Sequence, residues 1–167
     1  MKKFFTNKLK NFLGFTLIEL LVVIAIISVL STIGLSVFNS YTQSTKEAVC
    51  KENHRKIIEM IKTNHTMCKL KDTITLKRWY TGHKQGADYN FNCSSTFFNL
   101  AANTGIHMTN FLKNAYETDV HWGYSWIGNT GIPNQNGRTY YSEPNSSSIR
   151  LRTLCNNKVI EDVVSIR

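Results

Sequence analysis

The stretch from Phe15 to Phe38 is 24 residues long and carries one charge, Glu19. A helix needs roughly 20 apolar residues to cross the hydrocarbon core of a bilayer, so this run is long enough. A carboxylate within such a segment is costly in lipid and calls for a partner of opposite sign. In front of it stands a short basic leader, residues 1–14, with Lys2, Lys3, Lys8 and Lys10. Those lysines hold that end on the cytoplasmic side. An ordinary secretory signal is cut after its apolar region, at small residues. Here the small residue, Gly14, comes before the run, so the hydrophobic segment is expected to stay in the mature protein.

The residues Gly14, Phe15, Thr16, Leu17, Ile18 and Glu19, with the Leu/Val/Ile run behind them, resemble the start of type IV pilin superfamily chains. That superfamily takes in type IVa pilins, minor pilins and the pseudopilins of type II secretion. The resemblance covers about the first third of the chain. It implies a prepilin peptidase that cuts between Gly14 and Phe15 and methylates the new Phe15 amine. A residue without a side chain suits the cut, because it lets the protease approach the backbone closely. The freed amine lies four residues from Glu19, and pairing it with the carboxylate relieves the cost of a buried charge. In the family the amine belongs to a neighbouring subunit, which makes Glu19 the assembly and register residue. Many type IVa pilins also carry a helix-kinking Pro some twenty residues into the mature chain. This chain has Gly34 in that region instead, a softer weak point.

The helix is expected to run on from Phe15 to about Cys68. Cys50, His54, Ile57, Ile58, Ile61, His65 and Cys68 recur at helical spacing and form one face. Four parts follow: the cleaved leader 1–14, a transmembrane and assembly helix 15–38, its amphipathic continuation 39–70, and a β-sheet head 71–167. The fold class is therefore α+β, a long N-terminal helix packed on a C-terminal antiparallel sheet. Within the head, Thr73–Leu76 and Asp119–Ile127 alternate like strands, and Arg138–Ser142 is a further candidate. Ser95–Asn103 and Met108–Tyr116 are spaced like short helices. Residues 148–155 and 159–166 flank Asn156-Asn157 as a hairpin.

Cys50 and Cys68 lie five helical turns apart, about 27 Å, while a disulfide needs Cα atoms within about 7 Å. They cannot pair with each other on an unbroken helix. Two connectivities remain: Cys68–Cys93 with Cys50–Cys155, or Cys50–Cys93 with Cys68–Cys155. The first is preferred, because Cys93 follows soon after the helix end. Cys50 with His54, and His65 with Cys68, have the spacing of paired metal ligands, but an oxidising compartment competes for those thiols. The sequence gives no reason to expect a metal or a cofactor.

The net charge is +9, of which the leader lysines supply four, leaving +5 for the mature chain. That is too little to argue for nucleic acid by itself. A local basic stretch with aromatics, including Lys77, Arg78, Trp79 and Lys84, is the one possible DNA contact. Pseudopilins often hold calcium on acidic side chains near the C-terminus, whereas residues 128–142 contain no Asp or Glu. No spacing of nucleophile, base and orienting acid is present, so the chain is not read as an enzyme.

The resemblance implies a structural subunit that forms a helical homo-oligomer. It would serve motility, adhesion or DNA uptake, with a type II secretion pseudopilin and a DNA-binding minor pilin as alternatives. The implied partners are prepilin peptidase, an inner-membrane platform protein, an assembly ATPase, minor pilins and, before assembly, membrane lipid. The implied locations are the inner membrane before assembly and an extracellular pilus after it.

Overall fold

The computed structural model describes residues 14–78, 86–117, 126–127 and 131–166. The chain divides into two compact units, Met1–Tyr41 and Thr42–Arg167. Helix α1 (Leu17–Cys68) supplies most of what is described in the first unit and opens the second. The head follows as β1 (Thr73–Lys77), β2 (Asp88–Asn92), α2 (Phe97–Met108), β3 (Trp126–Ile127), β4 (Thr139–Asn145), β5 (Ser148–Cys155) and β6 (Lys158–Ser165). The architecture is α+β, with one two-stranded and one four-stranded sheet.

In the first unit the described apolar side chains between Phe15 and Phe38 stay exposed, because among the described residues no second element covers them. The hydroxyls of Ser28, Ser31 and Thr32 donate back to the carbonyls of Ile24, Ile27 and Ser28 at 2.7–3.0 Å. Such back-bonding satisfies a polar group without water, which a lipid-facing helix requires. α1 continues unbroken through Gly34.

In the second unit α1 buries Cys50, Asn53, His54, Ile57, Ile61 and Asn64, an i, i+3, i+4 stripe. The stripe sits slightly off the one the apolar residues mark, because Asn53 and Asn64 are buried while Ile58 and His65 are only half-buried. Each buried amide has a partner: Asn53 donates to the Lys113 carbonyl, and Asn64 to Thr104 Oγ1, both at 3.0 Å. Opposite the stripe, Arg55 pairs with Glu52 and Glu59 in solvent. Exposed pairs of that kind add little stability.

The four-stranded sheet runs β3-β4-β5-β6, with β3 parallel to β4 and the other pairs antiparallel. Ile149, Leu151, Thr153 and Cys155 alternate inward along β5 and are fully buried. β5 and β6 close through Asn156 and Asn157, at φ 51° and 60°. A two-residue hairpin turn of this hand needs positive φ twice, and Asn tolerates it better than other side-chain-bearing residues. β4 runs past Ser142 to Asn145, with a register shift at Pro144, whose ring cannot donate to the ladder.

Two expectations change. The window Met108–Tyr116 is not a helix. The N–H groups of Thr109, Asn110 and Phe111 bond three residues back, tightening the chain as α2 ends. The Asn110 side chain then donates to the Arg78 carbonyl at 2.9 Å, drawing the segment toward β1. β2 is the second change, a strand the sequence reading omits. Of the strand expected at 119–127, residues 126–127 are described and form β3; the rest lies outside the described residues.

Candidate functional site

The site begins where α1 begins. Thr16 precedes the first helical residue, and its carbonyl accepts the Leu20 N–H at 3.2 Å. The Thr16 N–H and hydroxyl both donate to Glu19 Oε2, at 2.8 and 2.9 Å. The Glu19 N–H in turn donates to Thr16 Oγ1 at 3.3 Å. This is a reciprocal capping box, which satisfies otherwise orphaned helix N–H groups and sets a carboxylate at the positive end of the helix dipole. Oε2 takes both Thr16 bonds. Among the described residues Oε1 takes none, so the carboxylate retains a face for an incoming cation. The sequence reading names Glu19 and passes over Thr16; the T-x-x-E spacing was the available signal. Gly14 and Phe15 sit exposed just ahead of the cap.

From this capped end the apolar surface runs down α1. It is long and apolar enough to cross a membrane, and none of it is buried among the described residues. Together these features fit membrane anchoring by the apolar segment 17–38, whose one carboxylate, Glu19, lies near its end.

The disulfides lie in the second unit. Cys50 bonds to Cys155 and Cys68 to Cys93, with Cα separations of 5.8 and 5.1 Å. The first closes a sequence separation of 105 residues and the second one of 25. On chain-entropy grounds each would stabilise by about 5 and about 3.5 kcal/mol alone. The smaller loop lies inside the larger, so the two do not add. All four thiols are thereby withdrawn from metal binding.

The Lys77 ammonium pairs with Asp88 at 2.8 Å. The Arg78 guanidinium lies over the Tyr89 ring, 5.1 Å from its centroid. Both cations are thus engaged by β2, which weakens the case for a phosphate-binding stripe. Trp79 and Lys84, the other two candidates for DNA contact, lie outside the described residues.

One buried constellation looks catalytic by composition. His54 Nε2 lies 3.1 Å from Asp162 Oδ2, and His54 Nδ1 lies 2.6 Å from Thr153 Oγ1. Thr153 is in turn 2.7 Å from Thr139 Oγ1. The carboxylate can only accept, so Nε2 carries the proton and Nδ1 accepts from Thr153, which accepts from Thr139. Thr153 and Thr139 are fully buried, so no substrate can reach either hydroxyl. The chain of bonds locks α1 to β5 and β6.

Burial holds the His54 pKa below the ordinary histidine value, against Asp162, which raises it. His107 is shifted the same way, by burial first and then by Lys77, while Asp88 opposes. Its Nδ1 accepts the Lys77 N–H at 2.8 Å, a bond that protonation of that nitrogen would break. The unfolded chain, with histidine pKa values near 6.5, therefore takes up protons before the folded one does. Stability should fall as pH drops through about 6.5 and level off once pH passes the folded values. Denaturant titrations of the mature chain in detergent, at about pH 7.5 and about pH 5, should show a lower midpoint at the acid value. His107→Gln, which keeps a side-chain acceptor, should flatten that dependence. A midpoint that rises on acidification would reject this account.

A family model, the prokaryotic N-terminal methylation motif, matches residues 9–35. That motif marks type IV pilin-like prepilins, and the long N-terminal helix fits it. Over those residues the chain is similar to processed prepilins of the pilin and pseudopilin kind, a family whose members are structural. The motif carries with it cleavage by prepilin peptidase, anchoring in the membrane and assembly into a filament. No curated protein and no solved structure matches the chain.

Proposed function

We propose that the mature chain, from Phe15 onward, is a polymerising subunit of an extracellular type IV pilus. Prepilin peptidase cuts after Gly14 and methylates the Phe15 amine. The subunit then waits in the inner membrane, its leader end cytoplasmic, until a platform protein and a cytoplasmic ATPase add it to a growing filament. Minor pilins are further partners. The observation that carries this reading is the apolar surface of α1 from Leu17 to Phe38, which nothing among the described residues covers. Such a surface is stable only against lipid or against copies of itself. Glu19 supplies the second half of the argument. Its capped carboxylate, with Oε1 open, is placed to receive the Phe15 amine of a neighbouring subunit and so to set register.

Mass spectrometry of sheared surface filaments tests the proposal. An abundant peptide beginning with methylated Phe15 is expected in the sheared fraction. A processed peptide confined to membranes would reject the abundant surface pilin and leave a pseudopilin or a scarce minor pilin as the reading.

A further inference from the structure

The two disulfides differ in what can reach them. Cys50 and Cys155 are fully buried, inside the core formed by α1 and β5. Cys68 and Cys93 are only partly buried and line an open groove of about 230 Å³. His65 and Lys69 of α1's end form its basic side, and Phe97, Leu100 and Ile166 form its apolar floor. A second hollow continues past His65 and Lys69 to Lys62, which adds another cation to the approach. Thiolates carry the charge in disulfide exchange, so a positive approach favours both an incoming anion and a leaving one.

The segment that Cys93 ties down also has other holds. The Cys93 N–H donates to the Asp72 carbonyl at 2.8 Å. Tyr89 donates to Asn103 at 2.6 Å, and His107 accepts from Lys77. Ile74, Leu76 and Phe91 are buried in the core. Opening Cys68–Cys93 therefore leaves β1 and β2 attached to α2. Opening Cys50–Cys155 requires the core to part first.

We propose that Cys68–Cys93 is a thiol–disulfide exchange site that works in the folded protein, and that its co-reactant is a thiol or dithiol reductant entering by this groove. The incoming thiol, its proton already lost to solvent, attacks Cys68 Sγ. A new bond forms between that sulfur and the reagent, the Cys68–Cys93 bond breaks, and the electron pair leaves on Cys93 Sγ. Cys68 ends α1, where the negative end of the helix dipole disfavours a thiolate, so the charge goes to Cys93, which lines the same groove as Lys69. A dithiol completes the step when its second sulfur attacks the mixed disulfide. Cys68 is released as a thiol, the reagent becomes a disulfide, and two electrons have passed to the protein.

The test uses the mature chain in detergent, without denaturant. Dithiothreitol is added, the reaction is stopped at intervals with iodoacetamide, and the alkylated cysteines are mapped by mass spectrometry. Cys68 and Cys93 should be alkylated at least about tenfold faster than Cys50 and Cys155. Glutathione, a monothiol, should be trapped as an adduct on Cys68. Lys69→Glu should slow both reactions several-fold. Equal rates for the two bridges, or no opening until denaturant is added, would overturn the proposal. An adduct found on Cys93 instead, or a rate indifferent to Lys69→Glu, would overturn the assigned direction of attack or the role of the charge.

Discussion

Glu19→Gln should insert in the membrane and be cut after Gly14, yet give surface filaments reduced by about a hundredfold or more. Gln is as good as Glu at the third position of a capping box, so the bonds with Thr16 and the start of α1 survive the change. What is removed is the charge alone. Opposite charges in contact away from bulk water attract far more strongly than in water, and the variant forgoes that attraction. On the proposed pairing, the variant also leaves the neighbour's Phe15 amine unpaired in an apolar setting, which adds to the loss. Immunoblots for the processed chain in membranes, beside filament counts on the same cells, separate the two effects. Normal piliation by the variant would end the register role for Glu19. Loss of the membrane-inserted chain would instead show that the substitution acts before assembly.

The parts of the fold legible in the sequence are those where one local rule dominates. A 24-residue apolar run has few ways to be stable, so the first half of α1 could be placed from composition alone. The β5–β6 hairpin was legible because Asn156-Asn157 falls between two alternating segments and both residues accept positive φ. β2 was missed because Asp88, Asn90 and Asn92 are poor strand formers. Its inward positions, Tyr89 and Phe91, alternate correctly, but two residues are a short signal beside three polar ones. The second short helix failed for a different reason: its spacing was sound, but the Asn110 side chain competed for backbone carbonyls across 32 residues of sequence.

The site was legible in the same uneven way. Glu19 stands out because a charge in an apolar run must be explained. Thr16 stands out less, since a single T-x-x-E spacing is a weak signal until the bond to Glu19 is seen. The His54–Thr153–Thr139 chain joins residues about a hundred positions apart, and no periodicity reports such a meeting. Lys77 and Arg78 drew notice as a basic pair. Their engagement with Asp88 and Tyr89 depends on β2, the strand that local signals did not give.

Gly105→Ala should destabilise the head by about 3 kcal/mol, although alanine inside a helix ordinarily gains about 1 kcal/mol over glycine. A Cβ at Gly105 would stand 2.7 Å from Tyr141 Cζ and 3.1 Å from Cε2, and closer still to the hydroxyl. Tyr141 is buried to 1 % exposure among core residues on all sides, so its ring has no room to swing away. Overpacking of this kind moves backbone, and here the backbone is α2 against β4. The mechanism is separable from a general weakness of α2 by a double-mutant cycle with Tyr141→Leu, which removes the ring. Each single change should lower the denaturation midpoint of the mature chain in detergent. The pair should lose less than the sum by about 1–3 kcal/mol, since the added methyl then fills space the ring has vacated. Strict additivity, or a Gly105→Ala chain as stable as its parent, would mean that α2 and β4 can part without loss and that the Tyr141 contact does not fix their spacing.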